Sequence, residues 1–177
     1  MKNILYVAIA MLVLASCEKP NKIGFVDNGA LINDYQEKID LEAKYQAKDD
    51  AFRKRADSIG LAFQTEAQKG QAEAQKLAQR NNRKKAEELM AGLQQKQQQL
   101  QQQMQVEQQQ ITQAFQADID SVIVKVKAFV GEYGKANGYN YILGTSDAAA
   151  TVMYGEEKSD LTKTVTEALN ADYNKAK

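Results

Sequence analysis

Few residue types in this 177-residue chain can do covalent chemistry, and their spacing does not bring them together. Histidine is absent and cysteine occurs once, at Cys17. His/Cys metal sites, Ser-His-Asp triads and Cys-His pairs are therefore excluded by inventory. Asp and Glu number 23, but no spacing sets two of them in one pocket for acid–base work. No glycine-rich phosphate loop is present either. These residues describe a non-enzyme with no catalytic residue, no metal and no cofactor. What remains is binding chemistry, and three groups of residues could supply it. Arg80, Arg83, Lys84 and Lys85 gather four cations, which read either as a solvated helix end or as a basic tip that meets acidic surfaces or anionic lipid headgroups. From Gln94 to Gln116, fourteen of twenty-three positions are glutamine, which donates and accepts hydrogen bonds without committing to a charge sign. Leu61, Met90 and Val106 are apolar where their neighbours are polar. They read as ordinary scattered surface exposure or as apolar contact points on a binding surface.

The elements that must carry these groups are helical. From Gly29 to Lys135 there is no proline, and apolar residues recur at helical spacing. Leu89, Leu100, Ile111, Val122 and Tyr133 are eleven apart, as are Leu93, Met104, Phe115 and Val126. Eleven residues make three turns at about 3.67 per turn, so the two rows form one stripe on a nearly straight helix. The first half repeats the rule with Leu41, Phe52, Phe63 and Ala74, and with Tyr45, Ala56, Ala67 and Ala78. Two consecutive striped helices can bury their stripes against each other as an antiparallel hairpin. The turn falls at or near Arg80 to Lys85. The register continues straight through the glutamines, which predicts a helix with an amide-covered surface instead of a disordered tract. From Ala62 to Ala78 the buried row shrinks mostly to alanine, and Gly70 interrupts it at a cost of about 1 kcal/mol relative to alanine. That end should be the looser one.

The ends of the chain supply a small body. Lys22 to Asp27 reads as a strand with Ile23 and Phe25 on one face, and Asp27 or Asn28 suits the N-cap of the first helix. Gly134 and Gly138 close the second helix. Tyr139 to Gly144 and Thr151 to Gly155 read as two more strands, and Ser159 opens a short closing helix with Leu161, Val165 and Leu169 on its apolar row. The expected fold is α+β and mostly α: a long antiparallel coiled-coil hairpin on a small β body with a short C-terminal helix. Lys and Arg balance Asp and Glu at 23 each, which argues against nucleic acid as a partner. Three short strands with exposed edges need cover, and pairing between copies would supply it. Ile23, Phe25, Tyr141, Leu143, Val152 and Tyr154 are the candidates for that shared body.

The first residues are of another kind. Lys2, an apolar run from Ile4 to Leu14 and then Leu14-Ala15-Ser16-Cys17 read as an export signal over residues 1–16. Leu-Ala-Ser-Cys resembles the lipobox of bacterial lipoproteins, which implies that Cys17 is lipidated and begins the mature chain. Residues 17–22 then form a short tether, 23–28 the first body strand, 29–136 the hairpin arm, and 137–177 the other two strands and the closing helix.

In this order of elements the chain resembles the Skp/OmpH family of periplasmic chaperones for outer-membrane proteins. The resemblance is carried by Lys22-Ile23-Gly24-Phe25-Val26-Asp27 with Gly29 at the front. At the back it is carried by Asn137-Gly138-Tyr139-Asn140-Tyr141-Ile142-Leu143, Val152-Met153-Tyr154 and Ser159-Asp160-Leu161-Thr162. It implies a homotrimer whose arms, roughly 80 Å long, enclose unfolded outer-membrane proteins without ATP. Two departures stand out: the familiar members are soluble and strongly basic, whereas this chain is near neutral and carries a lipoprotein-like start. The expected localisation is the periplasm of a Gram-negative envelope, with the protein held to a membrane through the Cys17 lipid. The competing expectation is a structural envelope spacer or adaptor lipoprotein whose arm tip meets one dedicated partner.

Overall fold

A computed structural model describes residues 21–146 and 149–177. The export signal, Cys17 and most of the tether lie outside the described residues. The order is β1 (Ile23–Asp27), α1 (Asn28–Asn33), α2 (Gln36–Gln79), α3 (Arg83–Ala136), β2 (Tyr141–Thr145), a 3-10 turn (Glu157–Ser159) and α4 (Thr162–Ala176). The fold is the expected one, a helical hairpin of α2 and α3 rising from a small sheet closed by a C-terminal helix.

β1 and β2 pair in parallel, with Ile23 opposite Tyr141 and Asp27 opposite Thr145. A parallel pair requires a crossover, and here the entire arm is the crossover. Alternation along the strands sorts the side chains onto two faces. Gly24 and Val26 point into a core built with Leu31, Tyr35, Val122, Val126, Leu161, Val165 and Leu169. Leu31 and Val165 are fully buried there, each side chain adding about 1.5–3 kcal/mol by leaving water. Gly24 has no Cβ because Leu161 occupies the space one would need.

Two expectations about the body are corrected. Thr151 to Gly155 forms no strand. The second edge of β1 is taken instead by the entry to α4, where Phe25 bridges Asp160 and Leu161 N–H donates to Phe25 O at 2.8 Å. Asp27 N–H donates to Thr162 Oγ1 at 2.9 Å, so little of β1's backbone is left for a third strand. Ser159, expected to begin the closing helix, sits in the 3-10 turn, and the side chain that accepts from the first amide of α4 is Asp160 (Thr162 N–H to Oδ1, 2.9 Å).

The first helix is also not continuous. It stops at Asn33 and restarts at Gln36, although no Gly or Pro marks the place. The break is stitched from 134 residues away: Asn170 Oδ1 on α4 accepts from Gln36 N–H at 2.7 Å, and its Nδ2 donates to Asp34 O at 3.0 Å. One side-chain amide thus satisfies a free donor at the start of α2 and a free acceptor beyond the end of α1. Asp27 caps α1, its Oδ1 accepting from Ala30 N–H at 3.0 Å.

In the arm, the predicted rows face each other, with Tyr45, Ala74, Val122 and Val126 buried and most other row members half-buried; Ala86, outside the rows, is buried near the turn. Ion pairs Glu37–Lys125, Lys44–Asp118, Arg55–Glu107 and Glu66–Lys96 cross the hairpin and mark its antiparallel register. The turn is tight. Asn81 has φ +66°, Asn82 N–H donates to Leu77 O at 2.9 Å, and Asn81 N–H donates to Ala78 O at 3.1 Å. That is the double hydrogen bond of a left-handed helix cap. The same arrangement ends α3, with Gly138 at φ +70° and Tyr139 N–H donating to Gly134 O at 2.9 Å.

Candidate functional site

The sheet's other face is the most apolar exposed surface of the body. Because Gly24 and Val26 point inward, Ile23 and Phe25 point outward, and the parallel register sets Tyr141 and Leu143 beside them. Ile23 and Leu143 are exposed, and Tyr141 is 61 % exposed. Phe25 is half-covered by the chain at Gly155, where a Cβ would run into its ring. Val152 is half-buried, and next to it Met153 and Tyr154 stand 88 % and 85 % exposed. Four of the six candidate body residues, Ile23, Phe25, Tyr141 and Leu143, thus share one face of the sheet, and the chain carrying Val152 and Tyr154 meets that face at Gly155. Met153, not among the six, is the most exposed large apolar side chain of that segment. Large side chains left this open cost solvation that burial against another surface would recover.

At the arm's base a polar cluster joins three elements. Asp40 on α2 accepts from Gln36 Nε2 at 2.8 Å, from Tyr173 OH at 3.0 Å and from the Lys177 ammonium. The bond from Lys177, followed by those from Gln36 and Tyr173, holds its carboxyl down at about 2. Tyr35 is buried and donates to Glu37 at 2.7 Å; burial, then that carboxylate, pushes its hydroxyl well above its ordinary range. Burial opposes the charge on Glu37, but the hydrogen bonds from Lys125 and Tyr35 outweigh it and keep the carboxyl low. Higher up, Tyr45 OH donates to Asp118 at 2.9 Å and lowers that carboxyl, with Lys44 assisting. Sequence reasoning missed this cluster because its members lie up to 137 residues apart.

On the arm, Leu61, Met90 and Val106 are all exposed. Met90 borders a groove between the helices with Phe63, Ala67 and Leu93, while Val106 lies among glutamines on α3 alone. The structure therefore does not bring the three into one patch. At the tip, Arg80 ends α2 and Arg83, Lys84 and Lys85 open α3. All four are exposed, and none forms an ion pair among the described residues. Among the described residues no group of three or more acidic side chains is placed to hold a metal, and no helix is long and apolar enough to cross a membrane.

A small body with a bared apolar sheet face, extended by one long helical hairpin, defines an arm-and-body protein whose surfaces for contact lie on its outside. The family model described as outer membrane protein (OmpH-like) matches residues 22–169, and the chain belongs to that family. Membership carries a periplasmic chaperone-type role. No curated protein matches the sequence.

Proposed function

We propose that this chain is an ATP-independent holdase for unfolded outer-membrane proteins. Three copies join through the outward sheet faces, and their arms surround the client and keep it from aggregating. The observation that carries this reading is the bared set Ile23, Tyr141 and Leu143 on one face of a sheet whose other face is already filled, with exposed Met153 and Tyr154 just before the chain that meets Phe25. Burying that set between copies would fix the arms around a common axis. The arm helices, 44 and 54 residues long, would bound a cavity about 65–80 Å deep at ~1.5 Å per residue. In this reading a lipid on Cys17 holds the assembly to a membrane of the Gram-negative envelope. Three acyl chains would make attachment hard to reverse, because one chain alone binds only marginally. Client contacts lie on the arm at Leu61, Met90 and Val106 and at the tip cations, each weak enough to allow release.

The test is dilution of a urea-unfolded porin with and without an equimolar amount of assembled protein. Suppressed light scattering is expected, and unchanged scattering would remove the role. The unpaired cations of the tip favour one competing reading, a spacer that docks a dedicated partner. Crosslinking from Arg83→Cys or Lys84→Cys would then trap a single protein, whereas the holdase yields a mixture of clients.

A further inference from the structure

The two helices of the arm differ in charge. Over Gln46 to Lys69, α2 carries nine charged residues, whereas the facing stretch of α3, Gln94 to Gln116, carries two, Lys96 and Glu107. Both are paired across the hairpin at its surface, Lys96 with Glu66 and Glu107 with Arg55. Of the fourteen glutamines in that stretch only Gln108 and Gln116 donate side-chain hydrogen bonds among the described residues, to Asp49 and Asp120. The other twelve present free amides. On one flank Gln99, Gln102, Gln103 and Gln110 surround exposed Val106 and, with Glu107 paired to Arg55, line an open hollow of about 660 Å³.

We propose that this flank of α3, Gln99 to Gln110, is an amide-covered shelf, its one carboxylate paired with Arg55, that docks the unpaired main-chain N–H and C=O groups of an unfolded polypeptide. A primary amide offers the same donor and acceptor as a peptide group, so it can pair with any stretch of main chain whatever its sequence. Each such bond replaces one to water and gains little, so the shelf holds through number and releases easily. Neither partner is charged, and binding is therefore insensitive to salt, unlike capture by the tip cations.

The inference rests on the holdase reading, and one experiment separates the two. Binding of a urea-unfolded porin is measured by fluorescence for the assembled wild type and for two triple variants, Gln99→Glu/Gln103→Glu/Gln110→Glu and Gln99→Lys/Gln103→Lys/Gln110→Lys. Circular dichroism and light scattering check that fold and assembly are kept. Both variants are expected to bind about tenfold more weakly, because a charge of either sign must lose its water against a neutral main chain. With the tip cations neutralised (Arg80→Gln/Arg83→Gln/Lys84→Gln/Lys85→Gln), the remaining affinity is expected to change less than about twofold between roughly 0.05 and 0.5 M salt. Unchanged binding by the variants, opposite responses to the two signs, a steep salt dependence, or loss of assembly in the variants would each overturn the shelf while leaving the holdase in place. A wild type that binds no porin would overturn the holdase, and the shelf with it.

Discussion

Gly70 illustrates how a single residue can read one way in sequence and another in the fold. By propensity it is a flaw in α2 costing about 1 kcal/mol. In the hairpin a Cβ there would lie 2.5 Å from Leu93 Cδ1, so the missing side chain is the seat for a leucine of the facing helix. Gly60 and Gly92 have nothing within 4 Å of that position. Gly60→Ala and Gly92→Ala should each raise stability by about 0.5–1 kcal/mol in urea unfolding. Gly70→Ala should show no such gain, since the displaced Leu93 offsets the better propensity. A gain at all three sites would mean that Leu93 does not pack on Gly70. The rows of leucine, isoleucine and phenylalanine were legible because periodicity is a local property. Which glycine lies under which leucine was not, because that depends on register across the hairpin.

At the scale of elements, the eleven-residue repeat was enough to read both long helices, their antiparallel pairing and a turn within Arg80 to Lys85. It did not reveal the break between α1 and α2, because Asn33-Asp34-Tyr35 contains no breaker and the side chain that stabilises the break belongs to α4. A third strand was misread at Thr151 to Gly155 for the same kind of reason: its residue types suit a strand, but Asp160 to Thr162 occupies the available edge of β1. The base of the arm is fastened to α4 by Asp40, whose folded-state carboxyl at about 2 lies below the ordinary Asp value near 4. A depressed carboxyl contributes stability above its unfolded value, and that contribution disappears as pH falls to the folded one. Asp40→Asn should therefore melt below wild type at neutral pH, and the gap should close as pH falls from about 4 to about 2. A gap that persists unchanged at pH 2 would show that the carboxylate's charge is not what holds α4 to the arm.

For the whole molecule, the arrangement of surfaces matters more than any pocket. The core uses one side of the sheet, and β1 is occupied on both edges, by β2 and by the entry to α4. What stays open is the far side of the sheet and the outer edge of β2, beside the exposed Tyr141 and Leu143. Assembly there would leave the arms free to enclose a client, whereas a lone chain has no enclosure to offer. The sequence pointed to those residues through strand alternation, but the copy number came only from resemblance, because symmetry between chains leaves no trace in the periodicity of one. The most direct test is the mass in solution, by size exclusion with light scattering, of a chain running from Glu18 to Lys177. Wild type should elute at three chain masses, and Tyr141→Asp/Leu143→Asp, which charges the open sheet face, at one. A wild-type particle of a single chain mass would contradict the account.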